Sequence, residues 1–162
     1  MSSIVCASHL PVLTRAFTLS KGDVLELGTG VYSTTILKWL CELDGRTLHS
    51  YENSLRWFRK MAKNPVQCQK LNFVIDWDKI DIERKWGLAF VDHSSNKRRW
   101  LEIKRLAKFA EYIVIHDTNP EYRREYRYYR IWPLFKYRYD FKKYSSHTSV
   151  VSNFFKLDKF NL

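Results

Sequence analysis

The chain has 162 residues, 45% of them hydrophobic and 16% aromatic, which is enough for one core and excludes a disordered polymer. Its formal net charge of +11 suits an anionic partner or a solvated basic face. No apolar run approaches the ~20 residues of a membrane-spanning helix.

The opening MSSIVCASHLPVL has neither the basic start nor the long apolar stretch of a signal peptide. Cys6, Cys41 and Cys68 form no CxxC pair and no even disulfide set. The expectation is a reduced, cytoplasmic setting and a single domain over residues 1–162.

The predicted elements alternate. A helix over 8–18 carries Pro11 in its first turn, and "DVLEL" (23–27) is a buried strand. A helix over 33–43 puts Ile36, Leu37, Leu40 and Leu43 on one face, with Ser33 or a neighbour as its cap. "TLHSYE" (47–52) is a second strand, and 54–62 a helix behind a capping serine. Strands follow at 71–75 and 87–92. An amphipathic helix over 97–110 turns Trp100, Ile103, Ala107 and Ala110 inward, and a fifth strand covers 112–117. Such alternation implies right-handed crossovers and a doubly wound, mostly parallel α/β sheet with helices on both faces. After residue 120 comes a helix-like stretch with Tyr122, Tyr126, Tyr129 and Trp132 as a candidate buried stripe. Two alternating runs, 136–144 and 148–155, then read as an antiparallel edge hairpin, the last two of seven strands.

In such a sheet, ligands sit beyond the carboxyl ends of the strands. The first strand ends in "LELGTG", where Gly28 and Gly30 permit a tight turn close to a ligand. Glu52, in "YEN", lies 24 residues after Gly28, near the spacing of an acid that accepts from ribose hydroxyls. Glu26 inside the turn would repel a pyrophosphate and suits an ammonium group. The pair indicates a nucleoside with an amino-acid tail.

With "LELGTG", "YEN", "FVDHSSNKRR", "YIVIHDTN" and the terminal hairpin, the chain resembles the class I S-adenosylmethionine-dependent methyltransferases from about residue 8 to 155. It departs at the third glycine of the first motif, where Tyr32 stands. The resemblance implies S-adenosyl-L-methionine as cofactor. Glu26 would orient the methionine amino group, directly or through water, and Gly28, Thr29 and Gly30 would pass beneath the ligand. Ser33 and Thr34 would meet its carboxylate at a helix N-terminus. Glu52, with Asn53 beside it, would hold the ribose, and Asp76 and Trp77 would flank the adenine.

"VDH" (91–93) and "IHD" (115–117) end neighbouring strands and offer Asp92, His93, His116 and Asp117 for base chemistry or metal binding. Strand alternation argues against all four converging. Asp92 is expected near the methyl group, with His93 or Asp117 as proton acceptor. The pattern is similar to that of catechol-type O-methyltransferases, in which the second Asp is followed directly by Asn. Here Thr118 precedes Asn119, so a divalent metal is not favoured. His9, in the leading segment, reads as a surface residue, with closure over the site as the alternative.

Residues 97–108 hold six Lys/Arg and one Glu, and 121–144 hold eight Lys/Arg, three acids and ten aromatics. These segments make RNA or DNA an alternative partner to a small hydroxyl- or amine-bearing acceptor. The readings are therefore a methyltransferase acting on a small or medium acceptor, a nucleic-acid-binding protein or RNA methyltransferase, and a binder of the cofactor with other chemistry.

Overall fold

The computed structural model describes residues 7–94 and 96–162; Cys6 and Ser95 lie outside them. Seven strands form one sheet: β1 Val24–Leu27, β2 Leu48–Glu52, β3 Gln69–Phe73, β4 Trp86–Val91, β5 Ala110–His116, β6 Tyr137–Phe141 and β7 Thr148–Ser152. Their spatial order is β3-β2-β1-β4-β5-β7-β6. The first five are parallel, while β7 runs antiparallel to both β5 and β6. The order reverses between β1 and β4, the switch point at which such sheets bind ligands.

Alternation along the central strands divides the core into two layers. Val24, Leu88, Phe90, Tyr112 and Val114 pack with Val12, Leu13, Ala16 and Phe17 of helix α1, Leu10–Leu19, and with Leu37 and Cys41 of α2, Ser33–Asp44. On the other side Leu25, Leu27, Ala89, Val91, Ile113 and Ile115 meet Ile103 and Leu106 of α4, Arg99–Leu106, and Tyr126, Tyr128 and Ile131. A short α3, Leu55–Met61, follows β2, with Ser54 accepting from the Trp57 N–H. No helix among the described residues is long and apolar enough to cross a membrane.

Several expected faces are rotated. In α2 the buried positions are Ser33, Thr34, Leu37 and Cys41, and Leu43 is 70% exposed. The first turn turns hydroxyls inward to serve a buried acid, Glu26. Tyr32, not Ser33, is the N-cap, and it makes no side-chain capping bond. In α4 the buried set is Arg99, Glu102, Ile103 and Leu106; Trp100 is half-buried, and Ala110 belongs to β5. Two charges face inward there because Arg99 meets acids across the layer, and Glu102 meets His93 across it and Arg98 one turn back.

The stretch expected as one helix over 121–132 is broken. Its only α-helical piece is α5, Arg123–Tyr126, and Arg127 takes a left-handed conformation at φ 55°. The break lets Tyr126 and Tyr128 both turn inward and stack, ring centres 5.3 Å apart. Positions two apart face opposite ways on a helix, so a continuous one would not allow this. Tyr129, expected in the buried stripe, is 44% exposed.

Candidate functional site

At the end of β1, Glu26 is fully buried. Oε1 accepts from Thr34 Oγ1 at 2.9 Å and Oε2 from Ser50 Oγ at 2.7 Å. Burial pushes its carboxyl up to about 7, with the hydroxyls of Ser50, Ser33 and Thr34 pulling the other way. Thr34 Oγ1 also accepts from the Gly30 N–H at 3.0 Å, so the acid and the loop are coupled through one side chain. Glu52 is equally enclosed: its Oε2 accepts from the Thr29 N–H and hydroxyl at 2.8 and 2.9 Å, and its Oε1 accepts from the Ser54 N–H at 2.6 Å. Of a carboxylate's roughly four acceptor positions, three are filled.

Gly28 has φ +90°, and a side chain there would overlap the backbone of Asp92 and His93. Leu27 pairs with Val91 in register, so the two strand ends run too close for a Cβ. This glycine is required by the sheet itself, independently of any ligand. Asn53 Oδ1 accepts from Ser94 Oγ at 3.1 Å. Asp76 caps the turn Trp77–Lys79. Trp77 is 5% exposed within the core layer, stacked on His93 with ring centres 4.2 Å apart.

Beyond β4 and β5 the structure brings together Asp92, His116 and Asp117, and leaves out His93. His116 Nδ1 lies 3.3 Å from Asp92 Oδ2 and 3.6 Å from Asp117 Oδ1. Asp117 joins its neighbour's side because it leaves the strand with φ 56°, a left-handed conformation uncommon outside glycine. Arg99 Nη1 and Tyr126 Oη both reach its Oδ2 at 3.2 Å. His93 points to the opposite layer with no exposure, its Nε2 3.2 Å from Glu102 Oε2. Burial depresses its basicity, offset in part by Glu102.

Arg99 is the residue that sequence reasoning missed. Its guanidinium meets Asp92 Oδ1 at 3.0 Å and donates from Nε to the His93 carbonyl at 2.7 Å. Burial opposes ionisation of Asp92, but Arg99, then His116, hold its carboxyl down to about 2. His116 is raised overall: burial lowers it, and Asp92 more than compensates. One cation in a basic helix segment carries no mark of burial. Arg98 likewise pairs with Asp78 and Glu102, and Arg105 with Glu83. Half the cations of 97–108 are therefore spent within the fold.

Asp92, His116 and Asp117 each offer a ligand atom within 4.8 Å of the others. Arg99 pairs with both carboxylates, so a divalent ion held there would compete with the guanidinium.

A cavity of about 340 Å³ joins the two halves, lined by Thr29, Gly30, Tyr32 and Ser33 on one side and His9, Asp92, His116 and Asp117 on the other, with Trp57 at its rim. That volume lies within the range of small-ligand sites. His9, expected at the surface, is 3% exposed. The helix that follows it is anchored by four buried apolar residues, and this carries the histidine inward.

No family model and no curated protein sequence matches the chain. Solved structures do match in fold. An O-methyltransferase from Bacillus cereus in complex with SAH superposes with a TM-score of 0.68 at 14% identity, covering 94% of this chain and 82% of that one. The O-methyltransferase TomG from Streptomyces achromogenes, in complex with SAM, gives 0.66 at 14%, covering 96% and 82%. The tRNA (m1A58) methyltransferase TrmI from Aquifex aeolicus gives 0.57 at 16%, covering 94% and 69%. The fold is the Rossmann-like one of these methyltransferases.

Proposed function

We propose that the chain is an S-adenosylmethionine-dependent methyltransferase that transfers to an oxygen or nitrogen of a small or medium acceptor. The observation that carries this reading is the cavity itself: it lies at the switch point, between a loop pinned by two buried acids and an acid–histidine group. In this reading Glu52 and Asn53 hold the ribose end. Thr29 and Gly30 pass beneath the ligand. Ser33, which lines the cavity and whose hydroxyl favours the charged form of Glu26, links that acid to the ammonium. Thr34 and Gly28 shape the loop, and Asp76 and Trp77 close the adenine side from behind. S-adenosylmethionine, when bound, supplies a methyl group already activated by its sulfonium, so alignment of the acceptor provides much of the rate. Asp92 and Asp117 face the cavity and position that acceptor, while His93 supports the end of β4 from below.

A small acceptor is favoured over nucleic acid because eight of the ten aromatics in 121–144 are buried or half-buried, which leaves few rings for stacking on bases. Calorimetric titration with S-adenosylhomocysteine tests the reading. Micromolar binding supports it, and absence of binding by folded protein removes it. Labelled methyl transfer to a panel of phenols, catechols and amines then separates turnover from binding alone.

A further inference from the structure

We infer that His9 is the proton acceptor of this site, taking the acceptor's O–H or N–H proton as the methyl group arrives. The inference rests on the methyltransferase reading above. His9 lines the cavity, packs on Phe90 with ring centres 4.9 Å apart, and meets His116 edge-on at 4.8 Å. Both its ring nitrogens are buried and have no hydrogen-bond partner. Buried polar atoms normally find partners, and a ligand in this cavity would supply one.

The other basic groups nearby are committed. His116 has Ser8 Oγ 3.1 Å from Nε2 and Asp92 against Nδ1. Asp92 and Asp117 are both engaged by the Arg99 guanidinium. His93 is on the far side of the sheet end, against Glu102. Among the described residues lining the cavity, only His9 has both ring nitrogens without a hydrogen-bond partner. Burial, then His116, lowers its basicity to about 4, so the ring is neutral at pH 7, while Asp92 and Asp117 favour its charged form.

The step balances. The acceptor's lone pair forms the new bond to the methyl carbon, the carbon–sulfur bond breaks with its electrons left on sulfur, and the acceptor's proton moves to a His9 nitrogen. The positive charge passes from sulfonium to imidazolium, between two carboxylates.

The test reads the histidine rings by ¹⁵N-edited NMR on the intact chain. The His9 ring is expected to be neutral at pH 7 and its nitrogen shifts to change on saturation with S-adenosylhomocysteine, while those of His147, away from the cavity on the β6–β7 connection, stay unchanged. His9→Gln should keep the wild-type urea midpoint and S-adenosylhomocysteine affinity. With any panel acceptor that the wild type methylates, it should lose ~10²–10⁴-fold in kcat. His9 ring shifts that ignore the ligand, or a His9→Gln enzyme with wild-type kcat, overturn the inference and leave the methyltransferase reading standing. Wild-type protein that binds no S-adenosylhomocysteine overturns both.

Discussion

Arg99 and Asp92 form a buried ion pair of 3.0 Å at the mouth of the cavity, and the same guanidinium reaches Asp117. Arg99→Met would leave two neighbouring carboxylates without their cation. Breaking a buried pair costs ~3–5 kcal/mol; because Asp92 is 27% exposed, the loss is expected at the lower end. Asp92 ionises in the fold near 2 against an ordinary 3.8, so its contribution is present above pH 3.8 and fades as pH falls towards 2. Arg99→Met should shrink this acid-side loss as well as total stability. Urea unfolding at several pH values reads both, and Arg99→Met with Asp92→Asn should recover part of the loss.

The same pair bears on metal dependence. With Arg99 holding both acids, methyl transfer is expected to persist unchanged in chelator. Activity that disappears in EDTA and returns with Mg²⁺ or Mn²⁺ would mean that the guanidinium gives way to an ion.

Glu52 pins Thr29 and Ser54, and in the proposed reading its remaining acceptor position takes a ligand hydroxyl. A hydrogen bond to a charged group contributes ~1.5–3 kcal/mol. Glu52→Ala should therefore weaken S-adenosylhomocysteine binding ~10–100-fold. Calorimetry on folded mutant protein with unchanged affinity would take Glu52 out of the ligand's contacts and leave it as a loop anchor.

Glu26 makes stability depend on pH in the opposite sense to Asp92. Its carboxyl is raised from 4.5 to about 7, so the folded state holds a proton that the unfolded state has lost. The contribution is complete below pH 4.5 and is lost as pH rises through about 7. At pH 8 the charged carboxylate costs on the order of 3 kcal/mol relative to a neutral one. Glu26→Gln should raise the urea midpoint at pH 8 and leave it unchanged at pH 4. If Glu26 serves the ligand's ammonium, the same variant should bind S-adenosylhomocysteine less tightly at pH 8. No pH dependence in the stability difference would contradict the burial of this acid.

The mostly parallel sheet and the places where β1, β2, β4 and β5 end were legible because apolar runs and Gly-rich turns are local signals. So was the meeting of Asp92 with Asp117, since both end neighbouring strands. What local reading missed depends on non-local pairing. Arg99 and Glu102 rotate α4 because acids wait for one and His93 for the other, and nothing in "KRRWLEIKRL" distinguishes them from surface charges. His9 looks like a surface residue until α1 is docked. Asp117 escapes strand alternation only because one backbone angle turns left-handed beside Arg99 and Tyr126.

The basic, aromatic segment 121–144 separates a small acceptor from RNA. Arg123, Arg124 and Arg130 are exposed, as are Tyr129 and Tyr144, so weak binding to any polyanion at low salt is expected and proves little. Each phosphate contact releases counterions, so such binding must fall steeply as salt rises, and near physiological ionic strength non-specific association gives a Kd of only ~10⁻⁴–10⁻⁶ M. Binding of that weak, sequence-blind kind is expected. Structured and single-stranded RNA should be titrated at two salt concentrations, then again with Arg123, Arg124 and Arg127 changed to Ala. The mutant should lose the low-salt binding and keep its affinity for S-adenosylhomocysteine, because none of the three lines the cavity. Tight binding that survives the higher salt, lost in the mutant together with methyl transfer to that RNA, would overturn the small-acceptor reading and make this segment the platform on which the substrate lies.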